Sequence, residues 1–310
     1  MSPESTTTTV PAIDQEPHLA TTEIHFRKIL VATDFSEPAR EALKTAISIS
    51  QLYGSKLYLV HASSPVVYGI DAGLVPIEIL NANRDADSRQ MDELVSKEPG
   101  LSALKPDVKV AYGDAIDLIS RTSHEAKADL IVVGSHGARG LERLALGSVA
   151  EAVLHQATCP VLIVGPNGKA QQNPFQSILF ATDLTTTGLR GAQYAAALAE
   201  RFHAKLTFLH VIAGKPTPPD VELRAIENHL KHQLQRLLPS DVERYCSAKI
   251  RLEFGTAAQV ITSVARAECA SLVVVGLKER ALADHALWST LSHVIRESDC
   301  PVLGIRGHLA

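Results

Sequence analysis

The chain contains the same sequence pattern twice, in the same order. Residues 26–34, FRKILVATD, return as residues 175–183, FQSILFATD. Three further segments recur downstream: KLYLVH as KLTFLH, ADLIVVG as ASLVVVG, and CPVL unchanged. The copies are about 140–150 residues apart, which is the size of a domain and too long for a solenoid repeat. The sequence therefore predicts a tandem duplication of one domain.

The 310 residues divide into four predicted parts. Residues 25–165 and 174–310 form the two domains, in agreement with the usual size of a domain. Residues 166–173, within a stretch rich in Gly, Pro and Asn, form a linker. Residues 1–24 contain four consecutive threonines and no basic stretch followed by an apolar one. This composition predicts a disordered tail, not a signal peptide.

Short apolar runs alternate with longer amphipathic stretches in both halves. In the first half the runs lie at 28–32, 56–61, 108–112, 130–133 and 161–164. They are continuously apolar, as in strands covered on both faces of a parallel sheet. Helical spacing is visible in Leu43, Ala46, Ile47 and Ser50, and in Ile226, Leu230, Leu234 and Leu238. The pattern predicts an α/β protein with two tandem, doubly wound, five-stranded parallel sheets of Rossmann-like type.

Composition excludes several classes of partner. The formal net charge is −4, which argues against broad binding to nucleic acid or to anionic lipid. The longest apolar runs are far shorter than the roughly 18 residues of a membrane helix. The four cysteines form no C-x-x-C pair, which favours a reducing compartment. We therefore expect a cytoplasmic protein that binds neither nucleic acid nor membrane.

A cluster of glycines follows the fourth strand of the first half. Gly134, Gly137 and Gly140 come first, and Gly147 and Ser148 stand where the next helix should begin. Exposed N–H groups of such a loop and helix start make an anion site suited to phosphates. The alternative is that these are turn glycines and that Ser148-Val-Ala-Glu151 is a capping box. The spacing fits neither a Walker A loop nor a dinucleotide fingerprint.

The spacing Gly134-x2-Gly137-x9-Gly147-Ser148 resembles the ATP-binding signature of the universal stress protein family. Ala-Thr-Asp at 32–34, Leu-Val-His at 59–61 and Thr-Cys-Pro-Val at 158–161 also resemble that family. The resemblance covers 25–165 and, in a more divergent form, 174–306. It implies strand order 3-2-1-4-5 in each sheet and a pocket in the first domain that binds ATP with Mg²⁺.

The resemblance also implies which residues contact the nucleotide. Ala32, Thr33 and Asp34 would line the adenosine end, and Ala62 would face adenine through its backbone. The implied phosphate-binding residues are Val133, Gly134, Ser135, His136, Gly137, Ala138, Arg139, Gly140, Gly147, Ser148 and Val149. Asp34 has a structural alternative, an Asx-turn or helix cap, because it recurs as Asp183. His136 and Arg139 are either phosphate neighbours or solvated loop residues. We expect Gly147→Val to block ATP binding without disturbing the fold.

The second half lacks most of the glycine cluster. Glu279 stands where the first half has Gly137, and Ser289 where it has Gly147, although Thr290 retains a hydroxyl. A carboxylate at that place repels phosphate, so this half is predicted to have lost ATP or to hold another ligand. Trp288 is assigned to the core or an interface. His61 and His210, like Cys159 and Cys300, occur in both halves and are therefore assigned structural roles.

The function predicted from these residues is that of an ATP-binding sensor or adaptor in a stress response, acting on an unidentified protein partner. No general base or activated nucleophile accompanies the loop in the sequence. The alternative is a slow ATPase or a self-phosphorylating protein that uses the same site. The family resemblance implies that the two halves pack as a pseudo-dimer through strands near 161–164 and 302–305, and the covalent tandem raises their effective concentration. A homodimer of the full chain is compatible with this arrangement but not required.

Overall fold

Strands and helices alternate along the chain in a computed structural model. It describes residues 24–63, 77–137, 146–185, 188–215, 221–237, 246–277 and 285–306. The elements of the first half are β1 (Lys28–Ala32), α1 (Glu37–Tyr53), β2 (Lys56–Ser63), α2 (Ile77–Lys97), α3 (Leu101–Leu104), β3 (Asp107–Tyr112), α4 (Ala115–Ala126), β4 (Leu130–Gly134), α5 (Ser148–Gln156) and β5 (Val161–Val164). Those of the second half are β6 (Ser177–Ala181), α6 (Gly188–Phe202), β7 (Lys205–Ile212), α7 (Val221–Arg236), β8 (Ser247–Phe254), α8 (Ala257–Ala267), β9 (Leu272–Leu277), α9 (His285–Glu297) and β10 (Val302–Arg306).

The ten strands of the described residues belong to one sheet. Its order is β3-β2-β1-β4-β5-β10-β9-β6-β7-β8, so each half has the predicted order 3-2-1-4-5. Pairing within each half is parallel, which confirms the predicted fold class. The halves join where β5 and β10 pair antiparallel, with Leu303 opposite Leu162. The two predicted sheets are thus continuous, because each half offers its fifth strand to the other.

The apolar strand residues form the centre of the protein. Side chains on one face of the sheet and those on the other make two clusters, and each cluster contains residues from both halves. One cluster includes Phe26 and Phe175, which are equivalent in the repeat and almost fully buried. Ile24, the last residue of the predicted tail, is buried in the same cluster. Residues 1–23 lie outside the described residues.

The amphipathic patterns are correct for one predicted helix and only partly correct for the other. Helix α1 begins after Ser36, whose hydroxyl accepts a hydrogen bond from the Ala39 N–H at 3.4 Å. Its predicted stripe is buried throughout. In α7, Leu234 is buried but Ile226 is 53 % exposed, so the predicted stripe does not pack along its length. Leu238 lies outside the described residues. None of the helices within the described ranges is long and apolar enough to cross a membrane.

Candidate functional site

The crevice of the first half lies where β1 and β4 end. These strands are neighbours in the sheet, but their following helices return to opposite faces, which places a switch point between them. In open α/β sheets, ligands bind at such points beyond the carboxyl ends of the strands. Two loops flank the crevice, one from β1 to α1 and one from β4 to α5. They contain most of the predicted site residues.

The loop after β1 is held by its own side chains. The Phe35 N–H donates to Thr33 Oγ1 at 3.1 Å, and the Ser36 N–H donates to Asp34 Oδ1 at 3.1 Å. The Ser36 hydroxyl also donates to Asp34 Oδ1, at 2.5 Å. Phe35 has a φ of 63°, in the left-handed region. Asp34 therefore forms an Asx-turn that leads into α1, as the structural alternative predicted.

The second half repeats this turn. The Leu184 N–H donates to Thr182 Oγ1 at 3.0 Å, and the Thr185 N–H donates to Asp183 Oδ1 at 3.1 Å. Leu184 has a φ of 62°. The same geometry without the glycine cluster shows that Asp34 has a structural role, whatever it does for a ligand.

His61 connects three elements of the first half. Its Nδ1 lies 2.8 Å from the Thr33 carbonyl oxygen, so this nitrogen is the donor. Its Nε2 lies 3.4 Å from Asp87 Oδ2 of α2, which also accepts a 2.5 Å hydrogen bond from the Ser63 hydroxyl. His210 makes the equivalent 2.9 Å contact to the Thr182 carbonyl oxygen. The pair has the structural role that its repetition suggests.

The three described glycines of the cluster stand in close contacts with protein atoms. A Cβ on Gly134 would lie 2.8 Å from the Pro38 carbonyl carbon, and one on Gly137 would collide with Asp34 Oδ2. A Cβ on Gly147 would lie 3.0 Å from the His136 Cα. Packing alone therefore favours glycine at 134, where the neighbours are backbone atoms of α1. That Gly147→Val leaves the fold undisturbed stays a prediction, and it requires residues 135 and 136 to give way by a few tenths of an ångström.

The start of α5 supplies donors at this crevice. Gly147 is the N-cap, and its own N–H donates to the Ser135 carbonyl oxygen at 2.7 Å. The Glu151 N–H closes the first turn on the Gly147 carbonyl oxygen. Helix geometry then leaves the N–H groups of Ser148, Val149 and Ala150 without an intrahelical acceptor. Because Ser148 is the first helical residue and not the cap, the alternative of a Ser148–Glu151 capping box is wrong.

The remaining predicted residues border the same crevice or fall outside the described part. Ala32 ends β1, Ala62 pairs with Ala111 near the end of β2, and Val133 is buried near the end of β4. The Ser135 hydroxyl and His136 Nδ1 are 2.9 Å apart. Ala138, Arg139 and Gly140 lie outside the described residues.

The sequence did not predict that Asp87 and Phe35 belong to this site. Their proximity to His61 depends on the packing of α2 and on the left-handed backbone of Phe35.

The equivalent helix of the second half begins earlier. Helix α9 starts at His285, so Ser289 and Thr290 are its fifth and sixth residues. Their N–H groups bond within the helix and do not point out of its end. The second half therefore lacks the open helix start at the position of Ser148, a difference that substitutions alone do not reveal.

The cysteines before the last strands have the chemistry of buried thiols. Burial raises the pKa of Cys159 to about 11 and that of Cys300 to about 12. Both are therefore protonated at neutral pH and poor nucleophiles. Within the described ranges, no three His, Cys, Asp or Glu side chains are grouped as a metal site would require.

Comparison with known proteins extends the resemblance seen in the glycine loop. The model of the universal stress protein family matches residues 25–165 and 174–306, which together are most of the chain. The chain belongs to the universal stress protein family. Its two domains are a tandem pair of this type, and the family predicted from the loop spacing is confirmed.

Individual relatives agree with this assignment. A universal stress protein of Mycolicibacterium smegmatis is 25 % identical over 283 residues, which are 90 % of this chain and 96 % of that protein. One of Methanocaldococcus jannaschii is 34 % identical over 141 residues, 45 % of this chain and 82 % of that protein. The crystal structure of a universal stress protein from Archaeoglobus fulgidus covers 93 % of this chain and 98 % of its own, with 21 % identity and a TM-score of 0.66. That likeness shows a shared fold.

Proposed function

We propose that this universal stress protein binds one ATP per chain, in the first half, and acts as a nucleotide-dependent sensor or adaptor in a stress response. The observation that supports it is the open start of α5, where Ser148 and the two following residues offer N–H groups beside the glycine loop. A helix N-terminus combines such donors with a favourable dipole for phosphates. The early start of α9 removes this feature from the second half.

Mg²⁺ fits this crevice as a companion of the phosphates. Asp34 lies against Gly137 and so brings one carboxylate to the loop. Mg²⁺ usually keeps several waters and takes one or two carboxylates together with phosphate oxygens. One nearby carboxylate is therefore sufficient for a metal that arrives with the nucleotide.

The alternative of a slow ATPase depends on Ser148 and Asp34. Ser148 is exposed at the start of α5 and could receive a phosphoryl group, while Asp34 Oδ1 already accepts two hydrogen bonds from Ser36. A carboxylate oxygen occupied in this way is poorly placed to accept a proton from an attacking water, which favours binding over turnover. Release of phosphate by the purified protein separates the two: a rate above about one per minute would favour the slow ATPase, although typical enzymes reach about 10 per second.

Ser148→Asp tests the site without damaging the helix. An acidic residue in the first turn favours the helix dipole, so the melting temperature should stay the same or rise slightly. The added carboxylate should repel the phosphates and weaken ATP binding at least tenfold, about 1.4 kcal/mol, by calorimetry. Ser289→Asp, at an exposed site inside α9, is the matched control and should bind ATP as the unaltered protein does. Two ATP molecules per chain, or unchanged affinity in Ser148→Asp, would contradict the assignment.

A further inference from the structure

A cavity of about 180 Å³ lies in the second half, where β6 and β9 end. Its place corresponds to the crevice of the first half, because Thr182 and Asp183 are the equivalents of Thr33 and Asp34. Most of the residues that line it are apolar, among them Val275 and Leu277 of β9. The sequence did not predict this cavity. The substitutions in the glycine loop indicate that the phosphate site is lost, but they do not indicate that a cavity remains in its place.

The polar groups at this cavity are largely engaged within the protein. The Thr182 carbonyl oxygen accepts from His210, and its hydroxyl oxygen accepts from the Leu184 N–H. Asp183 Oδ1 accepts from Thr185, at 2.6 Å from the hydroxyl and 3.1 Å from the N–H. Arg306 donates from Nη2 to the Leu154 carbonyl oxygen at 2.8 Å. A charged ligand would have to compete with these contacts, whereas an uncharged one would not.

Among the described residues that line the cavity, none is at a helix start equivalent to that of Ser148 in the first half. Thr290 lines the cavity but belongs to the interior of α9, so its N–H is used within the helix. Leu277 stands where the first half has Ser135. An aliphatic side chain replaces the serine, and a closed helical turn replaces the open helix start. The cavity is therefore suited to an apolar ligand and not to an anionic one.

Two aromatic rings, one from each half, form one side of the cavity. The rings of His155, on α5, and Trp288, on α9, have centroids 4.5 Å apart and planes inclined by 31°. Burial lowers the pKa of His155 below its ordinary value; Glu151 opposes this and Arg306 adds to it. The imidazole is therefore uncharged at neutral pH, and the pair offers a neutral aromatic surface.

We propose that this second-half cavity binds an uncharged, flat aromatic molecule of one or two fused rings. The size agrees, because a closed apolar cavity of about 150 Å³ is enough to bind benzene. Leu154 and His155 belong to the first half, so the bound molecule contacts both halves and stabilises their contact. The site is independent of the ATP site proposed above.

Benzimidazole, which is uncharged at neutral pH, is a suitable probe. Trp288 is the one tryptophan of the chain, so its emission reports directly on the cavity. Titration of the full chain should change this emission saturably, with a dissociation constant below about 1 mM, and should raise the melting temperature. Calorimetry should give one site per chain.

A pair of alanines provides matched variants. Ala257 lines the cavity at the start of α8, and Ala115 holds the equivalent place at the start of α4. Ala257→Phe should fill the cavity and weaken benzimidazole binding at least tenfold, whereas Ala115→Phe should bind benzimidazole as the unaltered protein does. If Ala257→Phe fails to fold, the smaller change Ala257→Val replaces it, with a partial loss expected.

Two results would overturn the proposal. One is equal benzimidazole affinity in the Ala257 and Ala115 variants, which would mean that the probe binds elsewhere. The other is displacement of benzimidazole by ATP with a simultaneous change in Trp288 emission, which would show a nucleotide site in this cavity. Ser148→Asp should bind benzimidazole normally, so failure of the ATP site and failure of this site give different results.

Discussion

Tyr53 and Phe202 occupy equivalent positions in the two halves and contact each other, with ring centroids 5.6 Å apart. They are joined by Phe26 and Phe175, a second equivalent pair, so four aromatic rings, two from each half, pack together where the halves meet. Among the described residues, no hydrogen-bond partner is found for the buried Tyr53 hydroxyl. Burial also raises the pKa of this phenol.

Tyr53→Phe should therefore stabilise the protein. The change removes a buried, unsatisfied hydroxyl, keeps the ring contacts, and reproduces the residue that the second half already has. We expect a gain of up to about 1 kcal/mol in the free energy of unfolding by urea denaturation. Tyr194→Phe is the control, because the Tyr194 hydroxyl is hydrogen-bonded to Arg190 and its removal should cost a similar amount. A loss of stability in Tyr53→Phe would show that the hydroxyl has a partner.

The aspartates of the two Asx-turns allow an effect on stability to be distinguished from an effect on ATP binding. Asp34 and Asp183 accept the same hydrogen bonds in their turns, so Asp34→Ala and Asp183→Ala should each lower the free energy of unfolding by about 1 kcal/mol. Only Asp34→Ala should change the affinity for ATP with Mg²⁺, measured by calorimetry. An equal change in Asp183→Ala would mean that ATP binding responds to general stability and not to this carboxylate.

At the scale of elements, the sequence predicted strands better than helix starts. The continuously apolar runs correspond closely to β1 and β5, because burial on both faces leaves little choice of residue. The start of α9 five residues before Thr290 was not predicted, since residue-by-residue comparison of the repeats assumes equal helix lengths. The left-handed turn at Phe35 was also missed, because a phenylalanine gives no sign of a positive φ.

Glu41 ties the predicted linker to α1. Its Oε2 accepts from the Ala170 N–H at 3.0 Å, and its Oε1 lies 2.7 Å from Lys44 Nζ. Burial alone would raise the pKa of Glu41, but the Ala170 N–H and the Lys44 ammonium together hold it below its ordinary value. A carboxyl whose pKa is lowered on folding stabilises the protein above its unfolded pKa, and this contribution is lost as the pH falls through the folded value.

Glu41→Gln should thus destabilise the protein in a pH-dependent way. At neutral pH the loss should be about 1 kcal/mol, because a charge-assisted contact becomes a neutral one. As the pH falls through the folded pKa of Glu41, which lies below its ordinary value, the difference from the unaltered protein should disappear. Urea denaturation at several pH values measures this difference. A difference independent of pH in Glu41→Gln would contradict the assignment.

At the scale of the molecule, the continuous sheet leads us to expect that the two halves unfold as one cooperative unit. Both core clusters contain residues of both halves, and Leu303 stands opposite its repeat equivalent Leu162 where β10 meets β5. The repeat and the family resemblance together predicted that the halves would pack together. They could not indicate that their cores would merge, because the same apolar strands would suit two separate sheets.

Leu303→Ala tests this cooperativity at the centre of the sheet. Leu303 is 1 % exposed, so the cavity left by the change should cost about 3 kcal/mol, within the range for buried leucines. Because the residue belongs to the junction of the halves, the loss should lower the midpoint of a single unfolding transition and not split it. Calorimetry measures the number of unfolding transitions. Tryptophan emission and circular dichroism should give the same midpoint, since Trp288 reports on the second half and circular dichroism on the whole chain. Leu118→Ala, in α4 at 3 % exposure, is the control within one half and should lower the same transition. Two separated transitions in the unaltered protein would mean that the halves fold independently despite sharing a sheet.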